Sequence, residues 1–237
     1  MTERPTALVT GASRGIGRAI ALRLAASHRV LAAARSSPEL ESLAREIAAA
    51  GGRCEPVVMD VADPESVAGA LRGREADVLV NNAGVGTLKP LLELTPEEWR
   101  TMVDVNFNAL YHVTRALLPG MVARGRGHVV VVGSIAGRSA FVGGAGYAAT
   151  KHAAMGFAES LMLEVRDAGV KVSIVNPGSV ATHFSAAPGE SERDPKKGQL
   201  LAEDVADAVA FVVDTPPEVL LHRVEVRILS PKRPRGT

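Results

Sequence analysis

The 237 residues are 46% hydrophobic and 22% charged, the balance of a folded globular chain long enough for one large core. Lysine and arginine number 27 against 26 acidic side chains, so the net charge of +1 creates no global field that would draw the protein to nucleic acid or to an anionic membrane. The single cysteine, Cys54, excludes an internal disulfide and reads as a structural thiol; together with the lack of a long apolar run at the N-terminus, this places the protein in the cytoplasm.

The first candidate strand, residues 6–10, runs into the turn Thr10-Gly11-Ala12-Ser13-Arg14-Gly15-Ile16-Gly17, which opens a candidate helix over 15–27. The turn reads as a phosphate cradle, with Gly11 permitting the tight bend, Gly15 letting backbone approach a pyrophosphate and Gly17 allowing close packing. Its spacing is GxxxGxG rather than GxGxxG, and Ser13, Arg14 and Ile16 line it between the glycines. A second strand, 29–33, ends without the acidic residue that reads a ribose 2′-hydroxyl. Arg35 stands there instead. Its planar fork suits a 2′-phosphate, with Arg14 closing from the other side, and the pair predicts NADP(H) as cofactor.

After a helix over 38–50 and a strand over 56–59 come Asp60 and Val61, a candidate adenine contact made by a carboxylate and an apolar side chain. Asp63 before Pro64 is the better helix cap, which frees Asp60 for ligand. The fourth strand, 77–81, ends in Asn81-Asn82-Ala83-Gly84, where small residues beside paired amides suit a cofactor wall. Trp99 shares helical spacing with Met102 and Val103 and reads as packing. Strand 128–132 precedes Ser134, and a helix over 147–168 carries Tyr147 and Lys151 four residues apart on one face. A phenol active near neutrality needs its pKa lowered by about three units from about 10, or roughly 4 kcal/mol. An ammonium about 5 Å away supplies about 3 kcal/mol of that at an effective dielectric of about 20.

Strand 170–175 is followed by Asn-Pro-Gly-Ser-Val-Ala-Thr at 176–182, then by a charged, turn-rich loop, 184–199, that reads as a substrate lid. Strand 223–228 and a short basic tail at 231–236 complete the chain. The six histidines show no metal-site spacing. Seven strands alternating with helices predict one α/β domain over 1–237, a doubly wound, seven-stranded parallel sheet flanked by helices.

The glycine turn, Asn-Asn-Ala-Gly, the serine, Tyr-x-x-x-Lys and Pro-Gly occur together in the order and spacing of the short-chain dehydrogenase/reductase family, which nearly the whole chain resembles. The resemblance implies a single-domain Rossmann fold and a catalytic set of Asn106, Ser134, Tyr147 and Lys151. In it, Tyr147 exchanges the proton, Lys151 lowers its pKa and holds the nicotinamide ribose, Ser134 bonds the substrate oxygen and Asn106 holds a water near Lys151. It further implies that Pro177, Gly178, Val180 and Thr182 line the nicotinamide, and that Phe141, Val142, His183 and Phe184 flank a small carbonyl or alcohol substrate. The ending lacks the Gly-rich stretch common among members reducing acyl-carrier-protein substrates and looks more like that of members acting on small hydroxy acids. Other readings are an NADP(H)-sensing protein without catalysis, a 3-oxoacyl-thioester reductase, or a sugar-nucleotide epimerase, for which too little chain follows residue 183. Small residues on the Tyr147 helix (Ala148, Ala149, Ala153, Ala154 and Gly156), together with the resemblance, predict a homodimer or homotetramer.

Overall fold

The computed structural model describes residues 4–182 and 199–229. All seven described strands lie in one parallel sheet: β1 (Thr6–Thr10), β2 (Arg29–Ala34), β3 (Arg53–Val58), β4 (Val78–Asn81), β5 (Gly127–Val132), β6 (Val170–Pro177) and β7 (Arg223–Val226), ordered β3-β2-β1-β4-β5-β6-β7. The chain winds outward from β1 to β3, then returns to lay β4 on the other side of β1. That reversal opens a crevice at the carboxyl ends of β1 and β4, the place where such sheets bind ligands.

Because side chains alternate along a strand, β1 to β6 each serve two cores. Ala7 and Val9 of β1 face α1 (Gly15–Leu24), α2 (Ser37–Ala49) and α7 (Ala202–Val213), while Leu8 faces α3 (Pro64–Leu71), α5 (Ala109–Ala123) and α6 (Ala145–Val165). In β5, Val130 and Val132 divide from Val129 and Val131 in the same way. At about 1.5–3 kcal/mol per fully buried aliphatic side chain, these two layers hold the sheet rigid enough to fix the loops at its edge.

Local signals explain most boundaries. Asp63 caps α3 by accepting from the Glu65 amide at 3.0 Å, with Pro64 as first helical residue. Thr95 and Glu98 bond reciprocally to open α4 (Pro96–Val103). β3 starts at Arg53, ahead of the apolar run at 56, because it pairs with β2 from Arg29 onward; Pro56 is tolerated since β3 is an edge strand. α1 ends at Leu24 rather than Ser27, where the Ser27 and His28 amides both turn back to the Leu24 carbonyl. β7 stops two residues short of the expected Ile228. Between α4 and α5, residues Asp104–Asn108 form a π-helical turn, which periodicity does not announce. Among the described residues no helix is long and apolar enough to cross a membrane.

Candidate active site

The glycine turn is shaped by what it cannot accommodate. Gly11 has φ +66° and its missing Cβ would lie 2.9 Å from the Ala83 Cα; Gly17 would place one 2.2 Å from the Gly11 carbonyl oxygen and 2.5 Å from Asn82 Nδ2. Glycine is required at both positions. Asn82 donates through Nδ2 to the Thr10 carbonyl at 3.0 Å, while Thr10 Oγ1 accepts from the Asn82 and Ala83 amides at 2.9 and 3.0 Å and donates to Val80. Two motifs some seventy residues apart thus become one wall. Gly15, at φ +53°, faces Thr182 Cγ2 at 3.5 Å from its Cβ position, so the segment after β6 closes on the same turn. No side chain caps α1, whose cap residue is Arg14, leaving its first amides for an anion. An expected result follows: Gly17→Ala, by forcing the turn open, lowers dinucleotide affinity at least about ten-fold and stability by about 1–3 kcal/mol, measurable by fluorescence titration and thermal unfolding.

Arg14 and Arg35 are both exposed at this edge, and Arg35 Nη1 lies 3.9 Å from Asp60 Oδ2. Asp60 is less free than its sequence suggests, since Oδ1 accepts from the Ala62 amide at 3.0 Å, forming a side-chain turn, and only Oδ2 faces outward toward Arg35. Val61 is buried. Ser13 and Ile16 stand in the turn, with Ile16 partly buried against the core.

One strand over, Ser134 follows β5. Its Oγ accepts from the Ala136 amide at 3.1 Å and is hydrogen-bonded to the Tyr147 hydroxyl. α6 begins at Ala145, two residues after Gly143, which has φ +76°, and brings Tyr147 and Lys151 one turn apart. Lys151 is buried; its Nζ donates to the Val132 carbonyl at 3.1 Å and sits 5.9 Å from the Tyr147 ring centroid. The spacing therefore brings the two together as expected, but the electrostatics differ. Burial pushes the Tyr147 phenol above its usual value, offset in part by the Ser134 hydrogen bond. Burial also pulls Lys151 down to about 8. The ammonium is tethered to the end of β5, and desolvation outweighs the lowering of the phenol expected from the four-residue spacing.

Lys151 carries a stability signature. Its folded pKa lies below the unfolded value of about 10.5, so below pH 8 both states are protonated and the fold bears the full cost, about 3 kcal/mol. Between about 8 and 10.5 the folded state loses its proton first and the cost fades. Lys151→Met should thus unfold at higher temperature than the wild type at pH 7 without dinucleotide, by an amount worth about 2 kcal/mol once the lost carbonyl bond is subtracted, and the advantage should vanish by about pH 10.

Asn106, presented by the π-helical turn, is buried. Its Nδ2 donates to the Val85 carbonyl and to Thr150 Oγ1 at 2.9 and 3.0 Å, and its Oδ1 accepts from the Val85 amide at 2.8 Å. Both amide protons are committed, so the side chain ties the segment after Gly84 to α6. Gly84 bridges the two halves: a Cβ there would lie 3.4 Å from Asn106 Oδ1 and 3.8 Å from Lys151 Nζ. Contacts thus run from Gly11 through Ala83 and Gly84 to Lys151.

Sequence reasoning missed Thr10, Thr150 and Asn176. Asn176, fully buried, accepts the Ser134 amide on Oδ1 at 3.1 Å and holds the turn that aims the serine; its Nδ2 has no described partner. It adjoins Pro177 and Gly178, whose amide donates to Val226, and Val180, which bridges to Leu200. Phe141 and Val142, between Ser134 and α6, are exposed, whereas His183, Phe184 and all of the expected lid except Gln199 lie outside the described residues. Trp99, expected to pack, is half exposed, with its ring edge against Gly146. Cys54, its thiol pushed up to about 11 by burial, is chemically quiet. Among the described residues no group of three or more His, Cys, Asp or Glu is placed to hold a metal.

This arrangement has parallels among known proteins. Residues 5–193 match the family described as short chain dehydrogenase. Oxidoreductase UcpA of Escherichia coli K12 is 38% identical over 210 residues, covering 86% of this chain and 80% of that one. The NADP-dependent 3-hydroxy acid dehydrogenase YdfG of Salmonella typhimurium is 36% identical over 230 residues, covering 92% and 93%. The alcohol dehydrogenase of the archaeon Thermococcus sibiricus, solved with 5-hydroxy-NADP, superposes with a TM-score of 0.89 at 33% identity over 99% of this chain and 100% of that one. With the family match spanning most of its length and these relatives aligned nearly end to end, the chain belongs to the short-chain dehydrogenase family.

Proposed function

We propose that the protein is an NADP(H)-dependent oxidoreductase that interconverts a small carbonyl compound and its alcohol. The observation that carries this reading is the gathering of the Ser134 and Tyr147 hydroxyls and a buried Lys151 beside a glycine turn that admits no Cβ at Gly11 or Gly17. The turn and the uncapped α1 fit a pyrophosphate, and Arg14 and Arg35 fit a 2′-phosphate. YdfG is named as NADP-dependent and the Thermococcus enzyme was solved with an NADP derivative, which supports the same cofactor.

When bound, the dinucleotide supplies or accepts the hydride at the carbonyl carbon. The chain's residues govern the oxygen. Ser134 hydrogen-bonds it, and Tyr147 delivers a proton to it in reduction or removes one in oxidation. A phenol held above its ordinary pKa is in the protonated form, the form that donates when a carbonyl is reduced. Lys151, with one carbonyl partner, has ammonium protons left for the nicotinamide ribose. Asn106 and Asn176 position these groups from behind, and Pro177, Gly178, Val180 and Thr182 wall the nicotinamide side.

The reading extends to one domain over 1–237 acting on small molecules in the cytoplasm as a homodimer or homotetramer. Of the small residues on α6, Ala148 and Ala154 face the chain's own core, so the surface left for a partner helix is Ala149, Ala153 and Gly156. The functional test is NADPH and NADH consumption measured in parallel on ketones, aldehydes and keto esters. Tight NADPH binding without turnover on any of them would favour the sensing protein instead.

A further inference from the structure

Building on that oxidoreductase reading, we propose that the substrate is a neutral carbonyl compound with an apolar substituent, and that the site discriminates against the free carboxylate of a keto acid. Two segments lead away from the Ser134, Tyr147 and Lys151 cluster. One follows Gly84; the other joins Ser134 to α6. They meet where the Cβ position of Gly143 comes within 3.7 Å of the Lys89 backbone. Along them Leu88, Leu91, Leu92, Phe141 and Val142 are exposed, Leu92 wholly and Val142 to 99%. Large apolar side chains standing in water on the segments that leave a polar reaction centre gain by covering an apolar group.

The cations on the same two segments are already engaged. Lys89 Nζ donates to Glu98 Oε1 on α4, and Arg138 Nη1 donates to Glu225 Oε1 on β7 at 2.8 Å. Lys89 holds the Glu98 carboxyl below the usual carboxylate range, the mark of a formed pair. Glu93 on the first segment adds a negative charge. A substrate carboxylate entering this mouth would have to draw a cation away from its partner and leave that partner unpaired. An ester, ketone or aldehyde meets no such obstacle, and its carbonyl still reaches Ser134 and Tyr147.

The test is initial-rate kinetics with NADPH on two matched pairs: ethyl acetoacetate with acetoacetate, and ethyl benzoylformate with benzoylformate. The wild type should show kcat/KM for each ester at least about ten-fold above its acid, carried mainly in KM, with the aryl ester the best of the four. Glu98→Gln keeps the capping geometry of α4, since glutamine serves at that position, but frees Lys89. It should raise kcat/KM for the acids about five-fold and leave the esters within about two-fold of wild type. Acids consumed as well as esters by the wild type, or a Glu98→Gln variant that moves both alike, would overturn the substrate class while leaving the oxidoreductase standing. No NADPH consumption on any of the four, nor on the wider carbonyl panel, would overturn the oxidoreductase reading and the substrate class with it.

Discussion

Tyr147→Phe should lower kcat for carbonyl reduction by about 10²–10⁴ while leaving the dissociation constant for NADPH within about three-fold of wild type. Phenylalanine keeps the ring that packs under Lys151 Nζ and loses only the hydroxyl that meets Ser134. The defect therefore isolates proton transfer to the substrate oxygen. Single-turnover kinetics with NADPH in excess separates this from slow product release, and fluorescence titration reads the binding. A variant retaining more than about a tenth of wild-type turnover would remove the phenol from the mechanism, because a general acid is worth at least about a hundred-fold. Because burial keeps the phenol protonated, reduction should also show no loss from Tyr147 ionisation as pH rises through neutrality toward 10.

The sheet and its crevice were legible because each strand is a short apolar run between helix-like segments, and parallel pairing leaves few ways to connect such a series. The positions of Gly11, Gly15, Gly17, Asn82, Tyr147 and Lys151 were legible too, as short-range patterns. What joins them was not. Thr10 and Asn82 lock together across more than seventy residues, Asn176 supports Ser134 from the neighbouring strand, and Thr150 links Asn106 to α6. Each is a polar residue that from sequence alone would pass for a cap or turn former. The π-helical turn that aims Asn106 lacks a hydrophobic period of its own. The Tyr147–Lys151 electrostatics of the ligand-free site depart from what spacing implies for a related reason. Spacing gives proximity but says nothing about desolvation, which here raises the phenol and lowers the amine.

Replacing Arg14 and Arg35 together by alanine should weaken NADPH binding by about 100-fold or more and leave NADH binding within about two-fold. Hydrogen bonds to a charged partner are worth about 1.5–3 kcal/mol each, but Arg35 is 76% exposed, so each arginine belongs at the low end of that range. Either single variant should accordingly lose about ten-fold for NADPH. The bland alternative is that Arg35 merely faces Asp60 at 3.9 Å in a surface ion pair worth about 0–1 kcal/mol. That pair would affect stability slightly and both cofactors equally. The ratio of NADPH to NADH dissociation constants decides between the two, since only contact with the extra phosphate changes it. Salt gives a second, independent reading: raising ionic strength should weaken NADPH binding to the wild type more than to the double variant, because a doubly charged phosphate is what the arginines would hold. A double variant that keeps the wild-type cofactor ratio would return Arg14 and Arg35 to the solvent and leave the NADP(H) preference resting on relatives alone.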